Sequence, residues 1–324
     1  MTQEQETKDT SAAPSHPADA QGKSAAPGRQ GKPGQHDKVT RMGTESIPRL
    51  ITEFAVPSIL GMLVNGAYNV IDSIFLGQAM GEIGLSTATV AMPIMTVFMA
   101  IAMLVGNGGN ALAALRMGEG KPEEAERSLG NTVTLSLIAS VVVAIAMFIP
   151  ACINALLGVS GATPEDWDYA MQFIRIISLG FIFQCIGMGV NNFIRTAGAP
   201  NRALGTMIIG AVACTVFNAL FVLVMGMGVV GSALATVCGQ AISCATVLWY
   251  FCLTKGVPMR LHLHMMPLHG ETVRLILSLG LASFAVQAGM AAVNFVLNNL
   301  LNMYGAQSPI GAEGALASIG VVQR

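Results

Sequence analysis

The stretch Ile51–Gly77, which reads ITEFAVPSILGMLVNGAYNVIDSIFLG, decides the fold class of this chain. It holds 27 residues that are mostly apolar, and about 20 such residues suffice for one helix to cross a bilayer. Asp72 lies inside it. A carboxylate in hydrocarbon is costly unless it meets a proton, a cation or water, so a membrane helix that carries one is a candidate for handling an ion or a substrate.

The rest of the chain is also apolar. Of its 324 residues, 53% are hydrophobic and 11% are charged, whereas roughly a quarter of the residues of a soluble domain are charged. Uncharged runs long enough to cross a bilayer cover residues 83–115, 128–164, 203–254 and 275–312. The sequence therefore predicts an all-α integral membrane protein that has the lipid bilayer as a partner. A net charge of −1 gives no indication of a nucleic-acid partner.

Glycines, prolines and charged residues divide the chain into seven predicted helices. They cover residues 48–77, 85–115, 129–157, 167–196, two segments within 203–254, and 271–304. As one helix, the run 203–254 would be about 78 Å long, against roughly 30 Å of hydrocarbon. It must therefore fold back, and GMGVVG at Gly226–Gly231 is the break that allows a tight hairpin. The same glycines match G-x-G-x-x-G, but no strand precedes them and no acid follows at the required distance, so we reject a dinucleotide site.

The charges also predict domains and orientation. Residues 1–46 have almost no apolar side chains and are predicted to be a disordered cytoplasmic tail. A first lobe of six helices follows at 47–255, then a cytoplasmic loop at 256–270 and the start of a second lobe at 271–324. Lys and Arg are concentrated in the loops on one side, so the positive-inside rule places the N-terminus in the cytoplasm of a multi-pass protein of the inner (plasma) membrane.

A faint internal repeat supports two lobes. The tripeptide RLI occurs at Arg49–Ile51 and again at Arg274–Ile276, where predicted helices 1 and 7 begin. Six-helix units repeated in parallel are a known transporter plan. On this hypothesis the sequence includes only the first part of the second lobe. We therefore expect the chain to be a truncated twelve-helix transporter.

The chain lacks the patterns of an enzyme. It contains no HExxH motif, no pair of catalytic acids and no Ser/His constellation, so we expect no catalysis. The six cysteines lie in apolar stretches without the spacing of metal ligands, so we expect no cofactor and no structural metal. His262, His264 and His269 leave two alternatives open, a metal cluster or an ordinary interfacial loop.

Asp72 has polar neighbours on its own helix. Asn65, Tyr68 and Asn69 lie seven, four and three residues before it and share its face. This polar stripe favours an ion-handling role, and the alternative is a water-facing or interhelical polar contact without coupling.

Three segments carry a resemblance. LITEFAVPSILGMLVNGAYNVIDSIFLG, NNFIRTAGAPNRALGTMIIG and FVLVMGMGVVGSALATVCGQ resemble the multidrug and toxic compound extrusion (MATE) family, in particular its DinF/MepA-like branch. The resemblance implies twelve helices in two lobes and export of small organic cations or amphipathic drugs in exchange for Na+ or H+. It also implies that the second lobe here is missing beyond its first helix.

The resemblance also implies a cation or proton site in the first lobe. In the family's DinF-like members an Asp and a Tyr on helix 1, an Asn on helix 4 and a Thr on helix 6 form it. The matching residues here are Asp72, Tyr68, Asn191 and Thr236. On helix 5 the family has Asn and then Asp, whereas this chain has Cys214 and Asn218. One carboxylate with Asn218 and Thr236 makes a weaker cation cage than two carboxylates, which favours H+ over Na+ as the coupling ion.

Three functions remain under consideration. The leading hypothesis is a drug antiporter whose lobes rock between outward-open and inward-open states. A flippase for lipid-linked oligosaccharides, on a related fold, would need a strongly basic cavity, and the membrane interior offers only Arg175. The third hypothesis is a truncated chain that does not transport and needs a partner chain.

Overall fold

A computed structural model of the protein describes residues 47–254, 257, 259–262, 265–305 and 316. Helices and no strands make up the regular structure of these residues, which confirms the all-α fold. The helices are α1 (Ile47–Gly118), α2 (Pro122–Phe148), α3 (Pro150–Val159), α4 (Trp167–Thr196), α5 (Pro200–Asn218), α6 (Gly228–Leu253) and α7 (Gly270–Gly305). Within the described ranges, all of them except α3 are long and apolar enough to cross a membrane. The predicted tail, residues 1–46, lies outside the described residues.

A break at Gly81 divides α1 into two arms, α1a (47–80) and α1b (82–118). Gly81 has φ 63° and ψ −136°, a conformation that residues with a side chain rarely adopt. A Cβ built on Gly84 would lie 3.0 Å from the carbonyl oxygen of Leu76, although residues eight apart in a straight helix are separated by about 12 Å. The chain therefore bends sharply at Gly81, and the arms correspond to the predicted helices 1 and 2.

The predicted helix 129–157 is two helices in the structure. Ile149 has an extended ψ of 117° and separates α2 from α3. The cause is Pro150, because a proline disfavours helical geometry in the residue before it. The N-terminal boundary was also wrong, since α2 begins at Pro122, where a proline and two acidic residues form a favourable first turn.

The hairpin between α5 and α6 is confirmed. Gly226 and Gly228 have φ values of 64° and 55° and form the turn between the two helices. The end of α5 is unusual, because a π-helix over Ala219–Val224 continues it up to the turn. Such π segments are rare and often mark functional sites.

The apolar core lies in two clusters, one above the other along the helix axes. The first contains Phe98 and Phe181, whose ring centroids are 5.2 Å apart. The second contains Phe193 and Phe251 and lies nearer the α6–α7 connection. Because α1b, α2, α4 and α6 contribute to both clusters, these helices form one bundle.

The last helix, α7, packs along this bundle. The backbones of α7 and α1b come close at Gly280, where a Cβ would meet the carbonyl group of Leu104. Towards the other end of α7, Asn298 Nδ2 donates to the Thr89 carbonyl oxygen at 3.0 Å, and Asn302 Nδ2 donates to the Gly161 carbonyl oxygen at 3.2 Å. The helix assigned to the second lobe is therefore held against the first at both ends.

Candidate ion-coupling site on α1, α5 and α6

Asp72 lies where three helices meet. Its Oδ1 accepts a hydrogen bond from Asn218 Nδ2 at 3.0 Å and another from Ser232 Oγ at 2.8 Å. Asn218 is the last residue of α5, and Ser232 lies in the first turns of α6. The carboxylate is partly buried, so it is neither sealed in the core nor fully solvated.

Two local features bring these donors from α5 and α6 to Asp72 on α1a. The α5–α6 hairpin brings Asn218 and Ser232 to the same end of the bundle, although they are 14 residues apart in the sequence. In addition, Met80 Sδ, at the end of α1a, accepts the Val229 backbone N–H at 3.2 Å. This contact fixes the end of α1a to the first turn of α6, so the Asp72 side chain reaches both donors.

Thr236 and Cys214 extend the polar cluster. Thr236 lies one turn after Ser232, is 4% exposed, and its hydroxyl group hydrogen-bonds the Cys214 thiol. The Cys214 Sγ also accepts a long hydrogen bond, 3.7 Å, from Asn218 Nδ2. Thr236 therefore reaches Asp72 through Cys214 and Asn218 in this structure.

Tyr68 and Asn191 have different placements. Tyr68 is half-buried on α1a, one turn before Asp72 and on the same helix face. Asn191 Nδ2 instead donates to the Ala203 carbonyl oxygen at 3.2 Å and to Thr206 Oγ1 at 2.6 Å.

The structure does not bring Asn191 to Asp72. Twelve residues of α5 separate Thr206, its partner, from Asn218, which corresponds to about 18 Å along the helix axis. Asn191 instead connects the end of α4 to the start of α5. A role for it in ion binding remains an implication of the family resemblance alone.

Sequence reasoning missed Ser232 as a donor to Asp72. Its side chain is fully buried, and a buried hydroxyl group in an apolar helix requires a hydrogen-bond partner. This requirement, together with its position one turn before Thr236, could have identified it.

A second acid, Asp166, is more deeply buried than Asp72. It directly precedes α4 and is 0% exposed. Its carboxylate accepts hydrogen bonds from Ser86 Oγ at 2.6 Å, Thr163 Oγ1 at 3.0 Å and Thr87 Oγ1 at 3.3 Å. Burial raises the pKa of Asp166 in spite of these hydrogen bonds. The carboxylate connects the start of α1b to the start of α4.

The histidine hypothesis gains no support within the described residues. They contain no group of three or more His, Cys, Asp or Glu side chains that could hold a metal ion. His262 Nε2 lies 3.8 Å from Glu126 Oε2, and the backbone N–H of His269 donates to Asn131 Oδ1 at 3.0 Å. His264 lies outside the described residues.

Comparison with known proteins places this arrangement in a family. A model of the family described as MatE matches residues 57–220, which run from α1a into the π segment and include Asp72 and Asn218. The chain belongs to the MATE family. MATE proteins are transporters.

Curated relatives show how much of a MATE protein is present. The chain is 24% identical over 277 residues to the multidrug export protein MepA of Staphylococcus saprophyticus. It is 25% identical over 279 residues to the probable multidrug resistance protein YpnP of Bacillus subtilis. These alignments cover 85% and 84% of this chain but 59% and 58% of the relatives, so the chain spans less than two thirds of their length.

Solved MATE structures confirm the fold. The multidrug transporter DinF-BH, solved as a complex with a bound compound, superimposes with a TM-score of 0.80 at 34% identity, covering 87% of this chain and 61% of that one. An inward-facing MATE transporter superimposes with a TM-score of 0.72 at 25% identity, covering 79% of this chain and 56% of that one. The six-helix first lobe followed by helix 7 is therefore the MATE arrangement.

Proposed function

We propose that this chain is the first lobe, with helix 7, of a multidrug efflux antiporter that exports small organic cations and amphipathic drugs. The observation that carries the proposal is Asp72, a partly buried carboxylate on a membrane helix, held by two uncharged donors from α5 and α6. The relatives support the substrate class, because MepA is a multidrug export protein and DinF-BH is a multidrug transporter. Neither the relatives nor Arg175 gives specific support to a flippase.

The coupling ion in this proposal is H+. Na+ favours several hard oxygen ligands, whereas the thiol of Cys214 occupies one of the positions around Asp72 and Asn218. A single carboxylate in an apolar setting takes up a proton readily, since desolvation favours its neutral form. The contacts of Asp72 therefore support proton exchange better than Na+ binding.

In the proposed mechanism the proton and the drug compete for one negative charge. Asp72 takes up H+ when its lobe is open to the outside, and it releases H+ when an organic cation binds from the inside. Rocking of the two lobes alternates the access. The proposed location is the inner (plasma) membrane with the N-terminus in the cytoplasm.

The test is ethidium efflux from proteoliposomes that contain a full-length, two-lobe MATE transporter built with this chain as its first lobe, driven by either an H+ gradient or a Na+ gradient. We expect efflux with the H+ gradient alone and its loss in Asp72→Asn. Glu82→Gln is the matched control, because Glu82 is an exposed acid at the α1 bend and its loss should leave efflux unchanged. Efflux that persists in Asp72→Asn, or efflux that a Na+ gradient alone drives, would contradict the proposal.

A further inference from the structure

One buried atom beside Asp72 has no partner. Asn218 is 1% exposed, and its Oδ1 makes no hydrogen bond to any described residue, while its Nδ2 donates to Asp72 Oδ1 at 3.0 Å. A buried polar atom without a partner costs about 1–3 kcal/mol. The amide is thus oriented chiefly by the carboxylate that it faces.

The orientation of this amide depends on the protonation state of Asp72. An ionised carboxylate only accepts hydrogen bonds, so it selects the NH2 side of an Asn. A protonated carboxyl group has an O–H to donate, and only the amide oxygen can accept it. Rotation of the Asn218 amide by about 180° exchanges its donor and acceptor sides in place, because the two ends are nearly identical in shape.

We propose that Asn218 is a positioning residue that responds to the protonation of Asp72. Its amide rotates so that Oδ1 accepts the hydrogen bond from the carboxyl O–H. This inference rests on the proposed proton exchange at Asp72. The proton comes from the outer solution, binds one carboxylate oxygen and returns when Asp72 ionises, so no covalent bond other than O–H forms or breaks. Ser232 needs no rotation of its side chain, because a hydroxyl group can donate or accept.

Each of the three helices that meet at Asp72 carries another titratable group among the described residues. On its own arm Tyr68 lies one turn earlier. On α5 it is the Cys214 thiol, which lies within electrostatic range of Asp72 itself, and α6 contributes the Cys238 thiol, which lies within electrostatic range of Cys214. Cys214 interacts with Thr236 and Asn218, so among these contacts Asn218 joins the thiol to the carboxylate.

Rotation of the Asn218 amide can affect the backbone because Asn218 is the last α-helical residue before the π-helix Ala219–Val224. A π segment contains one residue more per turn than the α-helix and can change its register locally. The segment also contacts α6 next to Ser232, since a Cβ built on Gly231 would lie 3.0 Å from the Phe221 carbonyl oxygen. Both donors to Asp72 are therefore adjacent to the element that would move.

Infrared difference spectroscopy of the chain in lipid nanodiscs, acidic minus neutral pH, tests the inference. We expect a carboxyl C=O band from Asp72, absent in Asp72→Asn, and an Asn side-chain amide signal, absent in Asn218→Leu. In Asn218→Leu the carboxyl band should move to higher wavenumber, because its O–H loses the amide acceptor. Asn131→Leu is the matched control, since Asn131 is a buried amide on α2 whose Oδ1 accepts the His269 backbone N–H, and it should leave both signals unchanged.

The possible outcomes separate the inference from the proposed function. A carboxyl band that survives Asp72→Asn contradicts proton uptake by Asp72 itself. A band that is lost in Asp72→Asn but unmoved in Asn218→Leu overturns the amide rotation and leaves proton uptake standing. Asn218→Ser covers the case in which the leucine variant does not fold, because its hydroxyl can donate or accept. It should keep the carboxyl band and lose the amide signal, and persistence of that signal overturns the inference.

Discussion

The two buried acids differ in their access to solvent, which decides which of them can exchange an ion. Asp166 is 0% exposed and is surrounded by three hydroxyl groups from two separate parts of the chain. Asp72 is only partly buried, and its hydrogen bonds from Asn218 and Ser232 engage the same oxygen. Asp166 thus acts as a fixed connection between helices, whereas Asp72 has the partial exposure that a coupling site requires.

Ser232→Ala removes an interhelical donor to Asp72. Because hydrogen bonds to charged groups contribute about 1.5–3 kcal/mol, we expect the free energy of unfolding to fall by an amount in that range. The fall is measured as a lower Tm in detergent at neutral pH. Ser243→Ala is the control on the same helix, since Ser243 Oγ makes only a 3.5 Å contact to Thr206. Equal losses in the two variants would contradict a specific role for Ser232.

Asp166→Asn is expected to remove a pH dependence of stability. Burial raises the pKa of Asp166 above the ordinary value of an aspartate, so the folded protein binds this proton more tightly than the unfolded chain. The stabilisation that this proton provides is therefore fully present below the pKa that Asp166 has in the unfolded chain. It is lost as the pH rises through the pKa that Asp166 has in the folded protein.

The measurement is Tm as a function of pH. We expect Asp166→Asn to flatten the curve just above the unfolded pKa, whereas Asp168→Asn, at an exposed acid two residues later, should leave the slope as it is. An unchanged slope of Tm against pH in Asp166→Asn would contradict a raised pKa of Asp166 in the folded protein.

At the scale of helices, the sequence predicted helix ends most accurately where an uncharged run ends next to charged residues, glycines or prolines. Helix 167–196 was predicted with its observed ends, because acids precede it and the sequence AGAP ends it. The Pro150 break inside helix 129–157 was missed because the run on both sides is uniformly apolar. Side-chain partners were harder to predict, since Ser232 and Asn191 depend on how helices rotate about their axes, which an apolar sequence pattern leaves open.

Gly280→Val tests the close approach of α7 to α1b. A side chain at Gly280 would meet the Leu104 carbonyl group, so the helices must separate, at a cost of about 1–3 kcal/mol. Gly289→Val is the control on the same helix, because nothing lies within 4 Å of a Cβ there. We expect a lower Tm for the first variant only, and equal Tm values would contradict the observed packing.

For the whole molecule, the distribution of charge predicts an orientation in the membrane. Arg116 and Lys121 lie at the α1–α2 turn, while Asp166 precedes α4 at the opposite end of the bundle. The positive-inside rule predicts that the first group lies in the cytoplasm. Cys152 on α3 and Cys252 near the end of α6 are both exposed, and they lie at these opposite ends.

Labelling of single-cysteine variants tests this orientation. A membrane-impermeant maleimide should label the variant that retains Cys152 in intact cells, because α3 is predicted to lie at the outer end. It should label the variant that retains Cys252 only after the cells are permeabilised. The reverse pattern would contradict the orientation and would place Asp72 in the inner half of the membrane.

The most direct measurement of the central claim is the release of protons when a cationic drug binds. The chain, in weakly buffered detergent solution with a pH indicator, is titrated with ethidium. If the drug and H+ compete for Asp72, the unmodified chain releases protons on binding and Asp72→Asn binds the dye without releasing any. Dye binding without proton release in the unmodified chain, or equal release in Asp72→Asn, would contradict the account.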